Sequence, residues 1–361
     1  MLTDHEYMKQ ALELAVKGIG WVNPNPTVGA VIVKGNAVIG TGYHHGFGAA
    51  HAERDALSNC TESPKGATLY VTLEPCCHYG KTPPCTDAII ESGIRRVVIG
   101  CLDANPLVAG KGAAILQEQG IEVVHGVRKE ECMNLNQVFF HFIQKKTPYV
   151  VMKYAMTMDG KIAAASGDSK WITGKTARMR VQEDRHRYSA IMVGTGTVLA
   201  DDPMLTCRLQ ECKSPVRIIC DTRLRTPLTA NVVKTAGSYK TIFATCCSQA
   251  QAAPYIDAGC EVLSIKETDG HVDLNELMLR LGEQGLDSIL LEGGGTLNWS
   301  ALNSQIVNKV QAYLAPKLLG GEKAKSPVGG MGVSSPDNGF FLTPPTITRL
   351  GDDILLESEV L

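Results

Sequence analysis

His51-Ala52-Glu53, Pro75-Cys76 and Pro84-Cys85 place one imidazole, two thiols and one carboxylate in an order that suits zinc-assisted hydrolytic deamination. A hydrolytic zinc takes three protein ligands and keeps its fourth position for water. His51, Cys76 and Cys85 are the candidate three, giving one zinc per chain. Glu53, two residues after the histidine, is left to carry protons from the attacking water to the departing ammonia. The spacing departs from the compact P-C-x-x-C form, because nine positions separate Cys76 from Cys85. Within that gap Cys77 and His78 are alternative ligands. A closed structural zinc site is the other reading, and it leaves Glu53 without a role.

A second constellation lies far downstream. Glu292-Gly293-Gly294-Gly295-Thr296-Leu297 follows an apolar run and precedes a helical one. Glycines there let backbone approach a ligand, and a helix start offers unpaired N–H groups to phosphate. The pattern is not G-x-G-x-x-G, so it does not announce a standard Rossmann fold. Gly194-Thr195-Gly196-Thr197 repeats the strand–glycine–helix logic, which together suggests a phosphorylated cofactor crossing strand ends. A plain tight turn is the lesser, competing explanation of the three glycines. Asp201-Asp202-Pro203 and Arg208 follow, with Arg208 suited to a bidentate grip on phosphate and Asp201 readable as a cap.

Periodicity says what holds these residues. Apolar spacing predicts a helix over 4–17, a hairpin over 28–42, and a helix from about His51. The strand 67–71 delivers Glu74-Pro75-Cys76, and Cys85 opens a helix, where thiolate pKa is lowered. Strand 94–99, helix 108–119, strand 121–124 and helix 130–143 complete an α/β/α layer arrangement of about five strands, with the zinc set at helix N-termini along one sheet edge. Asn25 in the rigid Asn23-Pro24-Asn25-Pro26 turn is placed to hold a base. Asp103 and Asn105 lie where a strand meets a loop, so they read as ligand contacts or as loop caps.

Gln144 to Pro148 is a polar, proline-terminated junction. Beyond it, strands at 149–154, 190–193, 216–220, 241–244, 261–264, 288–291 and 309–314 alternate with helices from 176, at 274–281 and at 297–302. The expected domains are therefore 1–146 and 147–361, each α/β. The 361 residues carry 35 basic and 37 acidic side chains, 13 and 14 of them before residue 147. That balance argues against a general nucleic-acid grip. No basic leader precedes an apolar core and no apolar run reaches membrane-spanning length, so a cytoplasmic protein that leaves membranes alone is expected. The 12 cysteines form no framework, which favours reduced thiols. Homo-oligomerisation is expected because two sheets need cover.

Asn25-Pro26, His51-Ala52-Glu53, Glu74-Pro75-Cys76, Gly80 to Cys85 and Asp103-Ala104-Asn105-Pro106 resemble the deaminase half of the bifunctional riboflavin biosynthesis deaminase/reductase family. Lys153, Asp159-Gly160-Lys161, Ser169 to Thr173, Gly194 to Thr197, Asp201-Asp202-Pro203 and Glu292-Gly293-Gly294 resemble its reductase half. The long Cys76–Cys85 spacing is the family's own. The resemblance implies a cytidine-deaminase-like first domain and a dihydrofolate-reductase-like second domain, with zinc and NADPH as cofactors and a small phosphorylated pyrimidine as substrate. It implies zinc on His51, Cys76 and Cys85, proton transfer by Glu53, and substrate contacts from Asn25, His44, Lys81, Asp103 and Asn105. In the second half it implies cofactor contacts from Ala155, Trp171, Thr197, Asp201, Thr222, Gly294, Gly295 and Thr296. Substrate contacts there are Ser169, Arg185, Leu205, Arg208 and Glu292, with Lys153 and Asp201 catalytic. A nucleic-acid base deaminase with a structural C-terminal domain is the alternative, and it lacks the basic surface such an enzyme needs.

Overall fold

Aliphatic residues fill Gly29–Lys34 (β1), whose first five residues are buried, as a strand covered on both faces requires. The turn at Gly35, φ 61°, returns the chain as Ala37–Tyr43 (β2). With Thr68–Leu73 (β3), Arg96–Cys101 (β4) and Glu122–His125 (β5) they form one sheet in the order β2-β1-β3-β4-β5. β1 is antiparallel to both neighbours, and β3, β4 and β5 are parallel. The computed structural model describes residues 2–79, 83–105 and 108–361. It divides into two compact units, Met1–Lys146 and Thr147–Leu361.

In the first unit, Asp4–Ala15 (α1) opens on a capping box between Thr3 and Glu6. Ala52–Ser58 (α2), Cys85–Glu91 (α3) and Lys111–Glu118 (α4) follow. α2 lies directly on β2: a Cβ at Gly42 would stand 2.3 Å from the Ala56 nitrogen. The core runs through Met8, Ile32, Leu69, Ile89, Val98 and Leu116. The helix expected over 130–143 is in fact two, Lys129–Leu135 (α5) and Gln137–Lys145 (α6). They break at Asn136, whose buried side chain donates to the Thr27 carbonyl at 3.0 Å and accepts from its N–H at 2.8 Å. An asparagine committed to a distant backbone in this way interrupts its own helix.

The second unit is built on Tyr149–Thr157 (β6), Ala190–Gly194 (β7), Val216–Cys220 (β8), Thr241–Thr245 (β9) and Glu261–Ser264 (β10). A short hairpin, Glu267–Thr268 (β11) with His271–Val272 (β12), stands apart. Ser288–Leu291 (β13), Val307–Ala315 (β14), Thr346–Leu350 (β15) and Asp353–Glu359 (β16) complete the set. The nine-stranded order is β10-β9-β8-β7-β13-β6-β14-β16-β15. It is parallel from β10 to β14 and antiparallel at β16 and β15. Helices are Lys175–Arg187 (α7), Thr195–Asp201 (α8), Asn231–Lys234 (α9), Gln249–Asp257 (α10), Leu274–Glu283 (α11) and Gly295–Asn303 (α12). β13 enters between β7 and β6, so the order switches there, and ligands favour the crevice at such a point.

Arg217 of β8 is wholly buried, and among the described residues none of its hydrogen-bond partners is a carboxylate. Its guanidinium donates to the carbonyls of Met204 (3.2 Å), Val232 (2.9 Å) and Tyr239 (2.9 Å) and to the hydroxyls of Thr235 (2.8 Å) and Thr241 (3.0 Å). Burial pulls its pKa down to about 10.

Candidate active sites

The metal set gathers where β3 ends, at the centre of its sheet. His51 is the N-cap residue of α2, Cys85 is the first residue of α3, and Cys76 follows β3. The Cys85 N–H points at the Cys76 sulfur, 3.4 Å away, so a helix start favours that thiolate. His51 Nδ1 stands 3.5 Å from Cys76 Sγ and 3.4 Å from Cys85 Sγ, and all three donor atoms lie within 4.8 Å of one another. Zinc with bonds of about 2.05 Å to nitrogen and 2.3 Å to sulfur makes tetrahedral N···S edges of about 3.6 Å, so the set fits the ion. Among the described residues no other cluster of this kind occurs. Hydrogen bonds from Cys85 and then His51, against the opposing effect of burial, hold the Cys76 thiol down at about 4. The hydrogen bond with Cys76, and then burial, push the Cys85 thiol up. A divalent cation favours both thiolates.

Glu53, 3% exposed in the first turn of α2, has its carboxyl raised to about 7 by burial and then by Cys76. It faces a cavity of about 340 Å³ shared with His51, Cys76, Asn25, His44, Asp103 and Asn105. Asn25 Nδ2 meets His44 Nε2 at 3.3 Å, and His44 Nδ1 meets the Ala50 carbonyl at 3.0 Å. A neutral ring with its proton on Nδ1 satisfies both contacts, in line with burial lowering its pKa. Burial likewise raises the Asp103 carboxyl, to about 6. Lys81 lies outside the described residues.

Three features of this cavity escape sequence reasoning. Phe139, Phe142 and Ile143 of α6 line it, and the helical spacing of these apolar residues was the available signal. His78, weighed only as a metal ligand, also lines it, and its buried Nδ1 has no hydrogen-bond partner among the described residues. Glu74 accepts three backbone N–H bonds, from Asp103 (3.1 Å), Gly110 (2.9 Å) and Ala113 (3.1 Å), and so suspends the loop that carries Asp103 and Asn105. Glu74→Gln turns an amide N–H toward one of these donors. It is expected to cost about 2–3 kcal/mol of stability, measured by denaturant unfolding, and to loosen ligand binding in this cavity. An unchanged unfolding midpoint would show that the loop holds itself.

In the second unit a cavity of about 820 Å³ opens along the glycine segments. Ser169, Thr197, Asp201, Thr222, Gly294, Gly295 and Thr296 line it. Its volume lies in the upper part of the roughly 300–1,000 Å³ usual for ligand pockets. α12 starts at Gly295 with no side-chain cap, so its first N–H groups are available to an anion, as a dinucleotide's phosphates require. A Cβ at Gly295 would lie 2.8 Å from the Ser326 carbonyl, which is why the following loop can close on the helix start. Ser169 Oγ approaches Asp201 Oδ1 at 3.4 Å. Asp221, fully buried, accepts from Thr195 Oγ1 at 3.2 Å and from the N–H groups of Arg225 (3.0 Å) and Thr226 (2.7 Å), bracing two cavity segments. Sequence reasoning missed it.

The other residues singled out for this half are not among the cavity's described walls. Glu292, at the end of β13, makes a forked pair with Arg185, Nε–Oε1 2.9 Å and Nη2–Oε2 3.0 Å. Lys153 Nζ lies 3.9 Å from Glu292 and 5.6 Å from the Tyr313 ring centre. Burial pushes Glu292 up, but Arg185 and Lys153 outweigh it and hold the carboxyl at about 2. Burial pulls the Lys153 pKa down, Arg185 adding and Glu292 opposing. Arg208 is exposed, and its charge reaches Glu292. Trp171 is 61% exposed beneath the Arg178 guanidinium at 4.4 Å. Ala155 sits on β6 opposite Tyr313, and Leu205 is packed in the core at φ 55°.

Known proteins give the same two-part picture. The cytidine and deoxycytidylate deaminase zinc-binding region matches residues 1–101, and the RibD C-terminal domain matches residues 148–356. Riboflavin biosynthesis protein RibD of Actinobacillus pleuropneumoniae is 55% identical over 100% of this chain and 96% of its own. That of Bacillus amyloliquefaciens is 44% identical over 97% and 94%. The crystal structure of a diaminohydroxyphosphoribosylaminopyrimidine deaminase/5-amino-6-(5-phosphoribosylamino)uracil reductase from Thermotoga maritima superposes with a TM-score of 0.88 at 40% identity, covering 99% of each chain. RibD of Acinetobacter baumannii, form 1, gives 0.88 at 38%, again over 99% of each. A reductase match over the second half sets aside the reading of a nucleic-acid deaminase with a structural tail. Among the described residues no helix is long and apolar enough to cross a membrane. The chain belongs to the RibD family: it is a bifunctional riboflavin biosynthesis enzyme with a zinc-binding deaminase domain and an NADPH-using reductase domain.

Proposed function

We propose that residues 1–146 deaminate 2,5-diamino-6-ribosylamino-4(3H)-pyrimidinone 5′-phosphate and that residues 147–361 then reduce the ribosyl group of the 5-amino-uracil product to ribityl. The observation that carries this is a buried Glu53 in one cavity with a three-donor zinc set, in a chain whose second unit holds a glycine-lined cavity of about 820 Å³. Zinc, when bound, supplies the Lewis acidity that makes water nucleophilic at neutral pH. Glu53, buried beside the metal donors, takes the proton of the attacking water and hands it to the leaving nitrogen. Asn25 and neutral His44 hold the ring, Asp103 and Asn105 the amino edge, and Lys81 the phosphate. The apolar wall from α6 keeps bulk water out.

NADPH supplies the hydride for C1′. Lys153, held by the Glu292–Arg185 pair, orients the opened sugar and delivers the balancing proton. Ser169 and Asp201 fix the reacting end, and Arg208 takes the sugar phosphate by charge-assisted bonds. Ala155, Trp171, Thr197, Thr222 and the Gly294–Thr296 turn embrace the cofactor, with Leu205 supporting the substrate from behind. We further propose a cytoplasmic homo-oligomer that does not engage nucleic acid, in keeping with its balanced charge.

The sites are expected to be independent and ordered. Given the diamino-pyrimidinone phosphate, a Glu53→Gln protein should oxidise no NADPH; given the deaminated compound, it should oxidise it at the parent rate. Ammonia and nicotinamide absorbance, followed together, read both steps. Equal oxidation with either compound would reverse the order, and failure with both in a folded protein would end the independence.

A further inference from the structure

We propose that Arg225, with Arg223 beside it, recognises the 2′-phosphate that distinguishes NADPH from NADH. The inference rests on the reading of the second cavity as the dinucleotide site. It adds the direction in which the cofactor lies and the groups that select it.

The uncapped start of α12, a nine-residue helix, is the place for the pyrophosphate. Glu292 at the end of β13 and Lys153 on neighbouring β6 mark the reacting end. The nicotinamide therefore points toward β6, and the adenosine toward β7 and β8. At roughly 4.8 Å per strand, the end of β8 is about 10 Å from that of β13. The segment that leaves β8 there is Thr222-Arg223-Leu224-Arg225, and Thr222, Arg223 and Arg225 all line the cavity. Val272 and Leu274 in the same wall offer an apolar face to adenine.

The two arginines are prepared for an anion in different ways. The Arg225 backbone is pinned by buried Asp221, yet among the described residues its exposed guanidinium has no hydrogen-bond or ion-pair partner. Arg223 gives one nitrogen, Nη2, to Glu267 at 2.6 Å, which steers the guanidinium, and among the described residues its other donors have no hydrogen-bond partner. A phosphate monoester dianion matches two such forks, whereas the bare ribose hydroxyl of NADH offers neither charge nor geometry. The cavity's lysines, Lys323 and Lys325, lie on the segment after β14, which closes on the α12 start through the Gly329 N–H to the Gly295 carbonyl at 3.0 Å, the place of the pyrophosphate.

The test is equilibrium binding, read by nicotinamide fluorescence for NADPH and NADH and by calorimetry for 2′,5′-ADP and 5′-AMP. Arg225→Gln should weaken NADPH and 2′,5′-ADP by about tenfold or more while NADH and 5′-AMP change by less than about twofold, since only the former lose a charge-assisted pair. Arg223→Gln should act in the same direction with a smaller factor. Retained NADH binding certifies the fold. Equal weakening of both dinucleotides would overturn the proposal, as would a selective NADPH loss in Lys323→Gln or Lys325→Gln with Arg225→Gln unaffected. A parent protein that binds neither dinucleotide would overturn the cofactor reading itself.

Discussion

Glu53→Gln is expected to retain zinc and fold while ammonia release falls by about 10²–10⁴-fold, the usual worth of a positioned acid–base group. The amide fills the same space in the first turn of α2 and keeps the cavity's shape, so binding is preserved. It cannot carry a proton. The loss should be large because the native carboxyl is buried in the same cavity as the three metal donors, where no bulk water can take over its proton transfer. Ammonia assays alongside metal analysis decide the matter: release within tenfold of the parent, at full zinc, would remove Glu53 from the proton path.

Cys85→Ser should strip the chain of most of its zinc and abolish deamination with it. The hydroxyl that replaces the thiol does not ionise near neutrality, so the set drops from three good donors to two. Loss of a direct ligand should exceed the roughly 10–100-fold in affinity that outer-shell partners command. Cys77→Ser is the contrast. Cys77 adjoins Cys76 in sequence but is not among the three donors gathered within 4.8 Å, and burial pushes its thiol up. Elemental analysis of the two purified variants should show zinc near one per chain for Cys77→Ser alone. Equal zinc in both would move the ligand assignment away from Cys85.

Chemistry of this kind is legible when ligands sit on short, well-signalled elements. His51 announces a helix start, Cys76 follows an apolar strand, and Pro84 opens the helix that carries Cys85, so local pattern narrows the metal set, and the choice of Cys85 over Cys77 or His78 comes from the family resemblance and the folded geometry. Partners far apart in sequence leave no such trace. Glu292 and Arg185 meet across 107 positions, and nothing near either residue forecasts that each is the other's hydrogen-bond partner. Asn136 breaks a well-patterned helix because of a backbone 109 positions upstream. The loop-holding task of Glu74 is hidden for the same reason: its acceptors serve amides 29 to 39 residues away. β15 and β16 escape because polar residues in both, and acidic ones in β16, punctuate their alternation; β15 is the sheet edge, where such residues are usual, and β16 lies one strand in.

Arg217 has a consequence for how the second unit breathes. Its five acceptors come from the Met204 segment, α9, the residues that follow α9, and β9. None of these can swing outward alone without abandoning a positive charge in an apolar interior, a change that typically costs several kcal/mol. Local fraying is thereby suppressed on this flank, and its amides should surrender deuterium together, through one shared opening, with the kinetics of a single cooperative block. The same bolt passes through Met204, next to Leu205 and four residues before Arg208, so the segment carrying the proposed phosphate grip is anchored from inside while its tip stays in solvent.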